Sequence, residues 1–192
     1  MFTVPPQVNH VFNFRESFTS INETDRAVFQ VTIRGSHEAV WREITRTDQP
    51  QKSMFNMQLV TPGLAVGAPI QMRSASRKYV GVVGEVLEFD PPRRYAHTFK
   101  FTRFNDPPCE LIFDLKPVSE GTEFTMTLAK LPAGTATAKR MVQGGNLILK
   151  TLKATIETGR PTFGIRILYR LFGLLEPLTP KQCLTQNWPI HA

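Results

Sequence analysis

Three features of this sequence predict an α+β fold. A single strand and helix open the ordered part of the chain. Five strand-like segments with short, turn-rich links then follow, and one long amphipathic helix comes after them all. Short links between consecutive strands imply an antiparallel meander. A sheet of that kind has an apolar face to bury, and the long helix is the element available to cover it.

The elements follow in order. AVFQVTIRG alternates Phe29, Val31 and Ile33 with Gln30 and Thr32, the period of a strand with one buried face. SHEAVWREITR reads as a helix: Ser36 caps it, Glu38 suits its first turn, and Val40, Trp41 and Ile44 share one side. Residues 47–65 read as irregular, with Met54, Phe55 and Met57 in a short helical turn. Strands are expected at 69–77, 79–89, 94–104, 109–117 and 122–130. Asp90-Pro91-Pro92, Asn105-Asp106-Pro107-Pro108 and Ser119-Glu120-Gly121 supply turns between them. The long helix runs over 137–158, with Met141, Ile148, Leu149, Leu152 and Ile156 on one face. Gly159 and Pro161 end it, because glycine takes the left-handed position past a helix and proline cannot continue one. The organisation is an N-terminal extension (1–24) in which Val11, Phe12 and Phe14 pack onto the domain, the domain itself (25–160), and a C-terminal extension (161–192).

At 192 residues and 41% hydrophobic composition, the chain can build one sizeable core. MFTVPPQVNH has neither the charged start nor the apolar run of a signal peptide, and no apolar run reaches the ~20 residues that span a bilayer. A cytoplasmic location is therefore expected, with Cys109 and Cys183 as reduced thiols. The net charge of +7 comes from scattered positions such as Arg73, Arg77, Lys78, Arg93, Lys139 and Lys153. They form no run and no nucleic-acid module, so no nucleic-acid partner is expected.

The stretch GEVLEFDPPRRYAHTFKF carries the functional question. Its second half places Tyr95, His97, Phe99 and Phe101 on one strand face. A histidine there has two readings: a core residue bonded to a neighbouring backbone group, or the one polar group of a small-molecule pocket. Leu111, Phe113, Phe124 and Met126 fall on the same side of the following strands. Ile148, Leu149 and Leu152 face them from the last helix, and Met54 and Phe55 close the set of candidate ligand-binding residues together with Gly145.

No catalytic set stands out. His10, His37, His97 and His191 are isolated, without the spacing of a metal site, so neither a metal nor another cofactor is expected. Strand alternation puts Glu85 and Glu88 on opposite faces, so they cannot act as a pair in one cavity. A lone Cys109 on an inner face reads as a small apolar filler.

GSHEAVWREIT, GEVLEFDPPRRYAHTF, CELIFDLKPVSEGTEFTMTL and LKATIETG occur in the order of matching segments in a known family. Over residues 26–159 the chain resembles the heat-shock-protein-90 ATPase activator homologues, part of the START-like (SRPBCC) superfamily. The resemblance implies a helix-grip fold, a curved antiparallel β-sheet wrapped around a long C-terminal α-helix. It also implies a cavity between them that takes a small apolar, lipid-like or polyketide-like molecule. Cyclase or dehydratase activity and a co-chaperone-like interaction module are the alternatives it leaves open. Two departures stand out. The family's Gly-Trp early in the last helix is Gly144-Gly145 here, which implies that bulk is removed at Gly145 from the cavity side. The family's chaperone activators also carry a further N-terminal domain, for which residues 1–24 are too few.

TFGIRILYRLFGLLEP is the most unusual stretch. Arg166 and Arg170 share one helical stripe, and nearly every other position is apolar. Residues 162–176 are expected to form a helix that packs on its own domain, on a second copy in a homodimer, or on a membrane surface.

Overall fold

The computed structural model describes residues 25–190. The expected packing of Val11, Phe12 and Phe14 lies outside the described residues, as do His10 and His191. Seven strands form one antiparallel sheet: β1 (Ala27–Ile33), β2 (Gln58–Val60), β3 (Pro69–Arg73), β4 (Val80–Asp90), β5 (Arg94–Phe101), β6 (Cys109–Val118) and β7 (Gly121–Ala129). Their spatial order is β1-β7-β6-β5-β4-β3-β2, so the meander β2 to β7 is closed on its far side by β1. Helix α1 (His37–Thr45) joins β1 to the loop before β2, and α2 (Ala136–Thr158) follows β7 and packs across β1. The α+β, helix-grip architecture is as expected.

Local signals explain the helix ends. The Ser36 hydroxyl accepts a hydrogen bond from the Ala39 N–H at 3.1 Å, and Thr135 does the same for Ala138 at 3.2 Å. Gly159 ends α2 with a φ of 77°, the conformation that favours glycine. Val40 and Ile44 of α1 are fully buried against the sheet, while Trp41 is only partly covered.

Several expectations are corrected. Residues 52–56 make turns rather than a helical turn, with Phe55 and Asn56 both at positive φ. The neighbouring Gln58–Val60 is a short edge strand paired with β3; three residues are too few for a periodic signal. The third strand stops at Arg73, where the register against β4 shifts, and Arg77 turns the chain at φ 63°. A second irregularity between Val86 and Glu88 breaks the alternation of β4. Glu85 and Glu88 are consequently both exposed, not split between faces, and Glu88 is paired with Arg94.

The C-terminal extension contains α3 (Phe163–Leu175) and three single 3-10 turns. Its last part docks along the β3–β4 hairpin: the Thr185 N–H donates to the Lys78 carbonyl at 3.0 Å, and Gln71 Nε2 to the Trp188 carbonyl at 2.7 Å. Helix α3 has no buried residue. Packing of the whole apolar surface on its own domain is thus not what α3 does.

Candidate functional site: an apolar cavity under the long helix

A cavity of about 470 Å³ lies between the sheet and the first half of α2. Strand β5 supplies its floor. Antiparallel register sets Tyr95 opposite Phe113 and His97 opposite Leu111, and β7 continues the layer with Met126 opposite Phe113 and Leu128 opposite Leu111. Of the candidate residues, His97, Phe99, Phe101, Leu111, Phe113, Met126, Ile148, Met54 and Phe55 line this space.

Phe124, Gly145, Leu149 and Leu152 do not. Phe124 stacks behind Phe113 with ring centroids 5.6 Å apart, supporting the wall from outside. Leu149 and Leu152 are buried in the solid half of the core, where α2 meets β1. At Gly145 the Phe29 ring of β1 occupies the space: an added Cβ would stand 2.4 Å from Phe29 Cζ. Gly144 is the glycine that borders the cavity, and its Cβ would meet only Phe55, at 3.7 Å. Adjacent helix residues point ~100° apart, so a one-residue difference separates packed core from open space.

Sequence reasoning missed part of the wall. Leu59 and Met72 come from the short strands β2 and β3, which have weak periodicity, and Phe172 comes from α3, far along the chain. Gln51 lines the cavity while its Nε2 donates to the carbonyls of Ile44 (3.0 Å) and Arg46 (3.2 Å). The nearby loop is held to α1 by buried Glu43, whose Oε1 accepts from the Ser53 N–H at 3.1 Å and from the Ser53 hydroxyl at 3.3 Å.

His97 is 5% exposed and packs among Tyr95, Phe99 and Phe113. Its Nδ1 lies 2.8 Å from the Thr98 carbonyl oxygen. A carbonyl only accepts, so Nδ1 carries the proton and Nε2 is left as a lone-pair acceptor. Burial lowers the imidazole pKa to about 4, so the ring is neutral at pH 7. One ring nitrogen thus satisfies the backbone, and the ring also borders the cavity, whose wall carries Gln51, Arg140 and Gln143 as further polar residues. Burial also raises the Cys109 thiol to about 11, far from a thiolate nucleophile, and both cysteines are free thiols. Among the described residues, no three His, Cys, Asp or Glu side chains gather as a metal site.

An antiparallel sheet gripping a long helix around an apolar cavity defines a helix-grip protein of the START-like class. The family description "activator of Hsp90 ATPase homolog 1-like protein" matches residues 34–157, and the chain belongs to that family. Three solved structures show the same fold. The Aha1 dimer from Colwellia psychrerythraea is 19% identical, with a TM-score of 0.56 over 70% of this chain and 97% of that one. An HSP90 activator from Plasmodium falciparum is 18% identical, with a TM-score of 0.55 over 70% and 97%. DynU16, from the dynemicin biosynthetic locus, is 20% identical, with a TM-score of 0.58 over 71% of this chain and 49% of its own. No curated protein matches the sequence.

Proposed function

We propose that this protein binds a small, mostly apolar molecule, lipid-like or polyketide-like, in the cavity beneath α2. One observation carries the reading: about 470 Å³ of space is walled mostly by aromatic, aliphatic and methionine side chains, with His97, Gln51, Arg140 and Gln143 as the polar residues among them. The mostly apolar lining offers water few partners, so an apolar guest is the favoured occupant.

His97 supplies one polar contact for the guest, beside Gln51, Arg140, Gln143 and the Tyr95 hydroxyl on the same wall. Its free Nε2 accepts a hydrogen bond, so the ligand presents an uncharged donor such as a hydroxyl at that end. A cyclase or dehydratase would need an ordered acid and base on the same cavity. His97 is the one imidazole on the wall, and burial makes it a weak base. A co-chaperone-like module would need no internal space, and the cavity argues against it. A cytoplasmic location, and a homodimer or membrane-surface contact through residues 162–176, belong to this proposal as well.

Native mass spectrometry of freshly purified protein, followed by solvent extraction, tests the reading. A co-purifying apolar compound that is displaced by 2-naphthol supports it. A chain that arrives empty and takes up neither 2-naphthol nor 2-methoxynaphthalene overturns it.

A further inference from the structure

Helix α3 has two apolar faces with different surroundings. Its inner side lies toward the protein: Phe172, still 44% exposed, borders the cavity, and the Tyr169 hydroxyl donates to the Lys52 carbonyl at 2.7 Å. Its outer side carries Phe163, Ile167, Leu171 and Leu174, between 42% and 76% exposed, and Leu178 follows at 77%. Arg166 and Arg170 flank this stripe. Both are exposed, neither has an ion-pair partner among the described residues, and α3 contains no acidic residue.

We infer that α3 docks its outer face onto an anionic lipid surface, with the cavity mouth turned toward the bilayer. A helix lying free at an interface needs a broad polar face of its own. Here the domain itself occupies the far side of α3 and supplies the water-facing surface, so two arginines suffice to flank the apolar stripe. They match the negative charge of the lipid, as does the chain's net charge of +7. With 13 residues, α3 is ~20 Å long, too short to cross the ~30 Å hydrocarbon core, so it lies on the surface.

A second copy fits this face less well. A helix ~20 Å long and ~10 Å wide offers a few hundred Å², short of the ~800 Å² per partner of a stable interface. In a two-fold dimer the same patch meets itself, which would bring Arg166 and Arg170 toward their own copies with no carboxylate on the helix to separate them.

Resting on the ligand-binding reading, the arrangement makes α3 a lid: displacing Phe172 at the lipid surface would open the cavity where an apolar guest can leave without crossing water. Flotation with vesicles of phosphatidylcholine, with and without phosphatidylglycerol, tests the docking on the full chain. Binding should require phosphatidylglycerol and weaken with salt. Arg166→Gln with Arg170→Gln should weaken it about thirtyfold, at ~1 kcal/mol per basic residue near the surface. Ile167→Asp with Leu174→Asp should abolish it while 2-naphthol binding and the circular-dichroism melt stay unchanged, because both side chains are exposed. Anionic vesicles should also speed 2-naphthol release. A full chain that stays unbound to phosphatidylglycerol vesicles overturns the proposal. Doubled mass by light scattering would then assign the face to a second copy. Failure of 2-naphthol to bind without vesicles would strike the ligand reading alone.

Discussion

The ring of Phe29 lies against the backbone of Gly145: a Cβ on that glycine would fall within 2.6 Å of three ring atoms. This contact brings α2 close to β1 and leaves its neighbouring side, at Gly144, over open space. The same glycine pair therefore has two unrelated jobs, close packing at one position and room for a guest at the next.

Substitution separates them. Gly144→Trp should place its indole in or beside the cavity, weaken 2-naphthol binding at least tenfold and leave the fold intact, since only Phe55 lies within 4 Å of the new Cβ. Gly145→Trp should instead lower stability beyond the ~1–3 kcal/mol usual for overpacking, because the buried Phe29 has nowhere to move. Thermal melts read alongside probe titrations check both. Unchanged probe binding in the Gly144 variant would remove that residue from the binding site.

The free Nε2 of His97 should make the protein distinguish a hydroxyl from its methyl ether. 2-Naphthol is expected to bind about three- to tenfold more tightly than 2-methoxynaphthalene, the equivalent of one net hydrogen bond of ~0.5–1.5 kcal/mol. In His97→Phe the preference should vanish while the ether still binds. Equal affinities in the native protein would show that His97 recognises no donor.

The same histidine makes stability depend on pH. Its folded pKa of about 4 lies below the ordinary 6.5, so between these values the unfolded chain binds the extra proton. Stability contributed by the neutral ring is complete above pH ~6.5 and falls as the pH drops toward ~4, by about 3 kcal/mol in all. Melts of the native protein and His97→Phe from pH 7 to pH 4 should diverge in that sense. Parallel curves would place the imidazole in contact with water.

Glu43 holds the loop that carries Met54 and Phe55. Glu43→Ala leaves the buried Ser53 N–H and hydroxyl without their acceptor and should cost ~1–3 kcal/mol. It should also speed 2-naphthol dissociation, since Met54 and Phe55 form part of the wall. Glu43→Gln keeps an acceptor at the same place and should recover most of both effects. Stopped-flow release measured on the three proteins decides whether the loop gates the cavity.

By itself the sequence determined the element types, their order and the aromatic face of β5. Those are set by local periods: two residues for Tyr95 to Phe101, 3.6 for the apolar stripe of α2, with Ser36 and Gly159 marking helix ends through their own hydrogen bonding and backbone freedom. The irregular 47–65 segment and the bulge near Glu88 were beyond it, because short pairings and register shifts depend on the partner strand rather than on the residues themselves. Only the tertiary structure decided which apolar residues face empty space. Phe99 and Phe124 look alike along a strand, and Gly144 and Gly145 along a helix; what separates them is where α2 crosses the sheet and where the ring of Phe29 inserts. The placement of α3 was likewise a tertiary matter, since its apolar faces are equivalent in sequence until one of them, through Tyr169 and Phe172, borders the protein.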